Sequence, residues 1–125
     1  MSGNRILLDT NAFIYFFEGR KKITELVVQT PEIYYSVISE IELLSATHLT
    51  ELELVQIQDF LSFCHCIDLR SDIVARTIEI RKQYNFKIPD AIIAATTLNL
   101  AIPLVSADVA FQRVAGLQLI ADILT

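Results

Sequence analysis

The chain alternates short apolar runs with longer segments in which apolar residues recur every three or four positions. Arg5-Ile-Leu-Leu-Asp9 is the first run. Three consecutive apolar residues closed by an acid predict a central strand buried on both faces. Ile33-Tyr-Tyr-Ser36, Cys64 to Leu69, Ile102-Pro-Leu-Val-Ser106 and Leu117 to Ile120 predict further strands, the last at an edge. The segments between them read as helices. Ala12 to Phe17, closed by Gly19, predicts a short one, and Lys21 to Thr30 sets Ile23, Leu26 and Val27 at helical spacing before Pro31 stops it. Ser39 and Glu42 have the Ser-x-x-Glu spacing of a capping box, and Thr50 with Glu53 opens a longer helix to Phe63 in the same way. Ser71 or Asp72 is expected to cap a helix through Tyr84, and Phe111 and Val114 mark a short one ended by Gly116. This alternation predicts an α/β fold for residues 1–125 as a single domain, with a central, mostly parallel sheet of four to five strands and helices on both faces.

One segment organises the rest. Lys87-Ile-Pro-Asp-Ala-Ile-Ile-Ala-Ala-Thr-Thr-Leu-Asn99 is apolar on most sides, with small Ala91, Ala94 and Ala95 permitting close approach to a sheet. Pro89 suits a first helical turn. Asp90 is the lone carboxylate of that turn. An acid there gains about 0.3–1 kcal/mol from the helix dipole without any function. Beside a dry core it also needs a hydrogen bond, a counter-charge or a metal.

Composition sharpens this reading. The 125 residues are 53% hydrophobic, with a mean hydropathy of +0.46. That exceeds the ~45–50% of an ordinary soluble domain and points to elements buried on both faces and to an interface. Phe13, Ile14, Phe16, Phe17 and the Thr50–Phe63 helix offer more apolar surface than one small sheet covers, so a homodimer is expected. The longest uncharged stretch, Ala91 to Ala107, is interrupted by Thr96, Thr97, Asn99, Pro103 and Ser106. It also falls short of the ~20 apolar residues of a membrane span. Asp9 and Asn11 break up what would be the apolar region of a signal peptide. A cytoplasmic location without membrane attachment is therefore expected.

The formal charge of −5 and pI of about 4.9 exclude attachment to nucleic acid through a broad basic surface. They leave room for an acidic site whose bound cation reverses the local sign. Arg81, Lys82 and Lys87 form one basic cluster and Arg20-Lys21-Lys22 another. Both are candidates for contact with backbone phosphates, and both are equally explained as solvated helix ends. On a strand Cys64 and Cys66 share one face while His65 points to the other, and with His48 as the only other histidine a four-ligand zinc site is not assembled. The thiols are expected to be structural.

Asp9 and Asp108 follow the first and fourth strands, and Glu42 and Asp90 lie near the starts of helices. In a right-handed parallel α/β sheet these positions share the carboxyl end of the strands, where ligands bind. Each acid alone has a capping explanation. Together, ionised, they share a crevice only if their pKa values rise or a divalent cation neutralises them. Oxygen donors without His or Cys favour Mg²⁺ or Mn²⁺. A receiver domain would offer Asp68 as its acceptor but needs a lysine that nothing after Ile120 supplies. A haloacid-dehalogenase-like phosphatase needs an acid where Asn11 stands.

Ile6-Leu-Leu-Asp-Thr-Asn11, Ser36-Val-Ile-Ser-Glu-Ile-Glu42-Leu-Leu, Pro89-Asp-Ala-Ile-Ile-Ala-Ala-Thr96 and Leu104-Val-Ser-Ala-Asp108-Val-Ala-Phe111, in this order, resemble the PIN-domain ribonucleases and among them the VapC-type toxins. The resemblance implies a PIN-like fold and Mg²⁺- or Mn²⁺-dependent hydrolysis of RNA. It implies an acidic quartet of Asp9, Glu42, Asp90 and Asp108 with Asn11 and Ser106 in support. Asp9, Asp90 and Asp108 would hold the metal, and Glu42, in the first turn of its helix, would orient the attacking water. It further implies a homodimer inhibited by a VapB-like antitoxin. The last motif departs from the family pattern at Ala107 and Ala110. A PIN-like RNA-binding scaffold without turnover and a housekeeping RNA-processing nuclease are the alternatives.

Overall fold

Ile6, Leu7 and Leu8 are at most 2% exposed, and they divide between two cores. Side chains alternate across a strand. Leu7 packs on one face with Leu104 and the helical residues Ile73, Ile80 and Ile92. Ile6 and Leu8 pack on the other with Phe13, Ile23, Leu43, Ile57 and Ile123. A strand with three consecutive apolar residues is thereby buried on both sides, as its sequence predicts.

The computed structural model describes residues 4–125. The chain runs β1 (Arg5–Leu8), α1 (Thr10–Phe17), α2 (Lys21–Gln29), β2 (Glu32–Ser36), α3 (Val37–Leu44), α4 (Glu51–Ser62) and β3 (His65–Ile67). It continues through α5 (Ser71–Tyr84), α6 (Ile88–Leu100), β4 (Leu104–Val105), a 3₁₀ helix (Val109–Arg113) and β5 (Leu119–Ile120). The sheet has five strands in the order β3-β2-β1-β4-β5, every neighbouring pair parallel. Successive strands build outward from β1 on one side as far as β3, then the chain crosses back to place β4 on the other. The order therefore reverses between β1 and β4, and the crevice for a ligand lies beyond their carboxyl ends. Asp9 and Ser106 are the residues that follow these strands.

Helix α6 is the most buried of the helices. Ala91 through Thr97 are all buried, and the hydroxyls of Thr96 and Thr97 donate to the carbonyls of Ile92 and Ile93 at 2.7 and 2.8 Å. Pro89 sits in its first turn, as expected, and Asp90 follows it there. Thr50 and Glu53 form the anticipated capping box of α4, bonded reciprocally at 3.0 and 3.1 Å.

Two helix starts differ from the sequence reading. β2 passes directly into α3, and Ser36, buried at the end of the strand, accepts the Ile38 N–H at 3.1 Å. The helix thus begins before Ser39, which becomes a buried interior residue instead of a cap. Glu40 and not Glu42 occupies the first turn. In α5 neither Ser71 nor Asp72 is the cap. Arg70 holds that position without a side-chain capping bond, and Asp72, inside the first turn, accepts the Ile73 N–H at 2.9 Å and pairs with the Arg70 guanidinium at 3.2 Å. β3, β4 and β5 are each shorter than the apolar runs that announce them. Apolar content marks burial, whereas ladder length is set by how far twisted neighbours stay paired.

Candidate active site

Asp9 is only 7% exposed at the end of β1, a costly place for a carboxylate. Its Oδ1 accepts the Thr10 N–H at 2.8 Å and its Oδ2 accepts the Ser106 hydroxyl at 2.8 Å. Both partners are neutral. Among the described residues no Lys, Arg or His pairs with it. Burial, opposed by these two hydrogen bonds and reinforced by the negative charges of Asp90 and Glu42, pushes its pKa up to about 6.

Ser106 ties the two strand ends together. Fully buried, it donates to Asp9 and accepts from the Asn11 side-chain amide at 3.2 Å and the Asp108 N–H at 3.1 Å. One hydroxyl thereby uses its donor and both acceptor sites. Asn11 completes the junction, its Oδ1 accepting the Ala107 N–H at 3.1 Å, which fixes which way the amide faces. Asp108 in turn accepts the Ala110 N–H at 3.0 Å and so caps the 3₁₀ helix.

Thr10 connects β1 to α3. Its hydroxyl donates to Glu42 Oε1 at 2.5 Å and lies 2.9 Å from the Ser39 hydroxyl. Because Thr10 spends its proton on Glu42, Ser39 is the donor of the second bond. Ser39 and Glu42, three apart on one helical face, meet Thr10 together. Glu40 faces elsewhere, 3.4 Å from the Tyr35 hydroxyl. Of the two glutamates, then, Glu42 reaches the carboxyl end of β1.

Asp90, half-buried, comes from the opposite side. Burial raises its pKa first, then the charges of Asp108 and Glu42, with Lys87 opposing. For both Asp9 and Asp90 desolvation outweighs mutual repulsion. The charges of Asp90 and Glu42 act on Asp9, and those of Asp108 and Glu42 act on Asp90, so these acids lie at the same end of the sheet. Among the described residues no group of three or more His, Cys, Asp or Glu side chains is arranged to hold a metal ion. A buried carboxylate with neutral partners, other acids around it and hard oxygen donors throughout suits a divalent cation that keeps much of its water, as Mg²⁺ does.

The basic candidates divide. Lys87 lines a depression of about 270 Å³ together with Asp90, Asp108 and Arg113. Arg81 is turned to the Phe86 carbonyl at 3.1 Å, and Lys82 is exposed on α5 outside that depression. Lys22 pairs with Asp122 and Arg20 with Glu18. The cysteines stand apart from the acids at β3, where burial pushes the Cys64 thiol up to about 11. A groove of about 310 Å³ opens beside Thr10 and Glu42, walled by Ile14, Phe17, Leu43, Ala46, Leu49 and Ile57.

A model of the PIN domain matches residues 6–117. The chain belongs to the PIN domain family. Solved structures agree with the assignment. A chain of the toxin–antitoxin complex from Klebsiella pneumoniae is 27% identical, with a TM-score of 0.80 over 92% of this chain and 95% of the other. A chain of VapBC-1 from nontypeable Haemophilus influenzae is 26% identical, with a TM-score of 0.76 over 93% and 96%. The VapBC complex from Salmonella typhimurium, bound to DNA, contains a chain of the same fold at 20% identity and a TM-score of 0.81, covering 94% and 97%. No curated protein matches the sequence. In this PIN domain, residue-by-residue reading passed over Thr10 and Ser39 as positioning groups, and Arg113 beside the acids. The signal for the first two was present: a hydroxyl immediately after Asp9 and another three residues before Glu42.

Proposed function

We propose that this PIN domain hydrolyses RNA phosphodiester bonds with Mg²⁺ or Mn²⁺ and is the toxin of a VapBC-type pair. The observation that carries the reading is Asp9, buried without a counter-charge at the strand-order reversal and within reach of the charges of Asp90 and Glu42. Family membership and the toxin–antitoxin neighbours support it.

Asp9, Asp90 and Asp108 would hold the cation, Asp9 from its dry seat and the other two from the rim. Bound there, the cation would ease deprotonation of the attacking water and stabilise charge on the phosphate oxygens. Glu42, kept in place by Thr10, would orient that water and accept its proton. Ser106 and Asn11 hold Asp9 and the Asp108 loop in register and so preserve the geometry. The apolar groove beside Glu42 would receive a VapB-like antitoxin, in keeping with the complexes that contain the similar chains.

End-group analysis of a cleaved single-stranded RNA tests this directly. Attack by water leaves a terminal phosphate monoester and a free hydroxyl, and cleavage should stop with EDTA. A 2′,3′-cyclic phosphate formed without metal would mean that the ribose hydroxyl attacks, and would exclude the proposed roles of the acids.

A further inference from the structure

Beyond the acids, the depression over Asp90 and Asp108 contains two cations, Lys87 and Arg113. Arg113 lies in the 3₁₀ helix that Asp108 caps. Its guanidinium sits 5.0 Å from the centre of the Phe86 ring, and one Nη donates to the Tyr84 carbonyl at 2.8 Å. Phe86 is itself fixed, buried and edge-on to Phe111. The stack and the carbonyl bond hold the guanidinium in one orientation while using one of its five N–H donors. Lys87 stands at the N-cap of α6 and bears electrostatically on Asp90. Among the described residues neither cation forms an ion pair, although both share a depression with two carboxylates. Arg113 is thus a preoriented cation with donors to spare at the edge of the proposed site.

We infer that Arg113 and Lys87 form a phosphate clamp that seats the RNA backbone next to the acid crevice. Arg113 presents its fork to non-bridging oxygens and Lys87 adds a point charge from the start of α6. The assignment rests on the nuclease reading above. It gives a chain of net charge −5 two cations for a polyanion at the edge of its acidic site. The depression is open to solvent and the contacts go to phosphate, so the clamp seats the backbone without selecting its sequence.

The test is binding of a fluorescein-labelled oligouridylate to the full chain, with Ca²⁺ replacing Mg²⁺ and the salt concentration varied. The expected result is about tenfold weaker binding for Arg113→Gln, with the slope of log Kd against log salt flattened by about 0.7, the value for one lost phosphate contact on a single strand. Lys87→Gln should flatten it similarly. Arg113→Lys loses the planar fork but keeps the charge, and should retain the wild-type slope. If Arg113 only braces the loop, Arg113→Lys will melt and bind like Arg113→Gln, and both will keep the wild-type slope. That outcome overturns the clamp and leaves the nuclease reading standing. A wild-type protein that neither binds nor cleaves the RNA overturns both.

Discussion

At the scale of single residues, the molecule concentrates its cost at Asp9. A carboxylate whose pKa is about 6 in the fold and 3.8 in the unfolded chain is less willing to ionise when folded. Stability is therefore intact below the unfolded value and falls as pH rises from about 4 to about 6, by roughly 3 kcal/mol from this group. Asp90 shifts in the same direction. Chemical denaturation of the metal-free protein across that window should show the loss, Asp9→Asn should flatten it, and Mg²⁺ should restore stability at neutral pH. A denaturation midpoint indifferent to pH and Mg²⁺ would contradict the assignment of Asp9. The acids themselves were legible in the sequence because each stands beside an abrupt apolar boundary. The dominant cause of their perturbation was not. Repulsion can be guessed from clustering, but burial of the Asp9 carboxylate depends on how closely β1 and β4 approach, which no local pattern encodes.

At the scale of elements, the sequence revealed where helices and strands lie more reliably than where they begin. The capping box of α4 was readable because Thr50 and Glu53 stand at a clean loop-to-helix boundary. The matching signal at Ser39 and Glu42 was misleading, since β2 runs straight into α3 and Ser36 takes the cap. The displaced Ser39 and Thr10 then fasten Glu42 to β1. Thr10→Val should lower RNA cleavage by roughly tenfold to a hundredfold through a mis-set Glu42, while Thr10→Ser retains most of it. Equal rates in Thr10→Val and wild type would show that Thr10 does not position Glu42 for the chemistry. The end of α6 offers a test of the fold alone. Ala101 terminates the helix at φ 55°, a left-handed conformation that glycine adopts without a Cβ penalty. Ala101→Gly should raise stability by about 0.5–1 kcal/mol in urea denaturation. A destabilised variant would show that the αL cap is not strained.

At the scale of the whole molecule, a continuous parallel sheet converts residues distant in sequence into neighbours at one end. The crossover that puts β4 beside β1 seats Ser106 on Asp9, ninety-seven positions apart. That convergence followed from the alternation of elements and the handedness of their connections. The surfaces outside the crevice were less legible. The sequence places the apolar excess on Phe13, Ile14, Phe16, Phe17 and the Thr50–Phe63 helix; the structure buries Phe13 in the core, leaves Ile14, Phe17, Leu52, Val55 and Phe63 exposed, and adds Val74 and Ile78 on α5. Among the described residues no helix is long and apolar enough to cross a membrane. Exposed apolar side chains of this extent mark an interface, and we propose that a second copy covers part of them. Light scattering at micromolar concentration should return twice the 14.1 kDa of the chain, and the monomer mass would count against a homodimer. The central claim is that Asp9, Glu42, Asp90 and Asp108 act together on a metal-activated water. Single-turnover cleavage of a labelled single-stranded RNA in Mg²⁺, comparing wild type with Asp9→Asn, Glu42→Gln, Asp90→Asn and Asp108→Asn, tests it most directly. The predicted result is metal-dependent cleavage that each substitution lowers by about a hundredfold or more with the fold retained; cleavage that persists in EDTA, or at wild-type rate in the Asp9 and Asp90 variants, would contradict it.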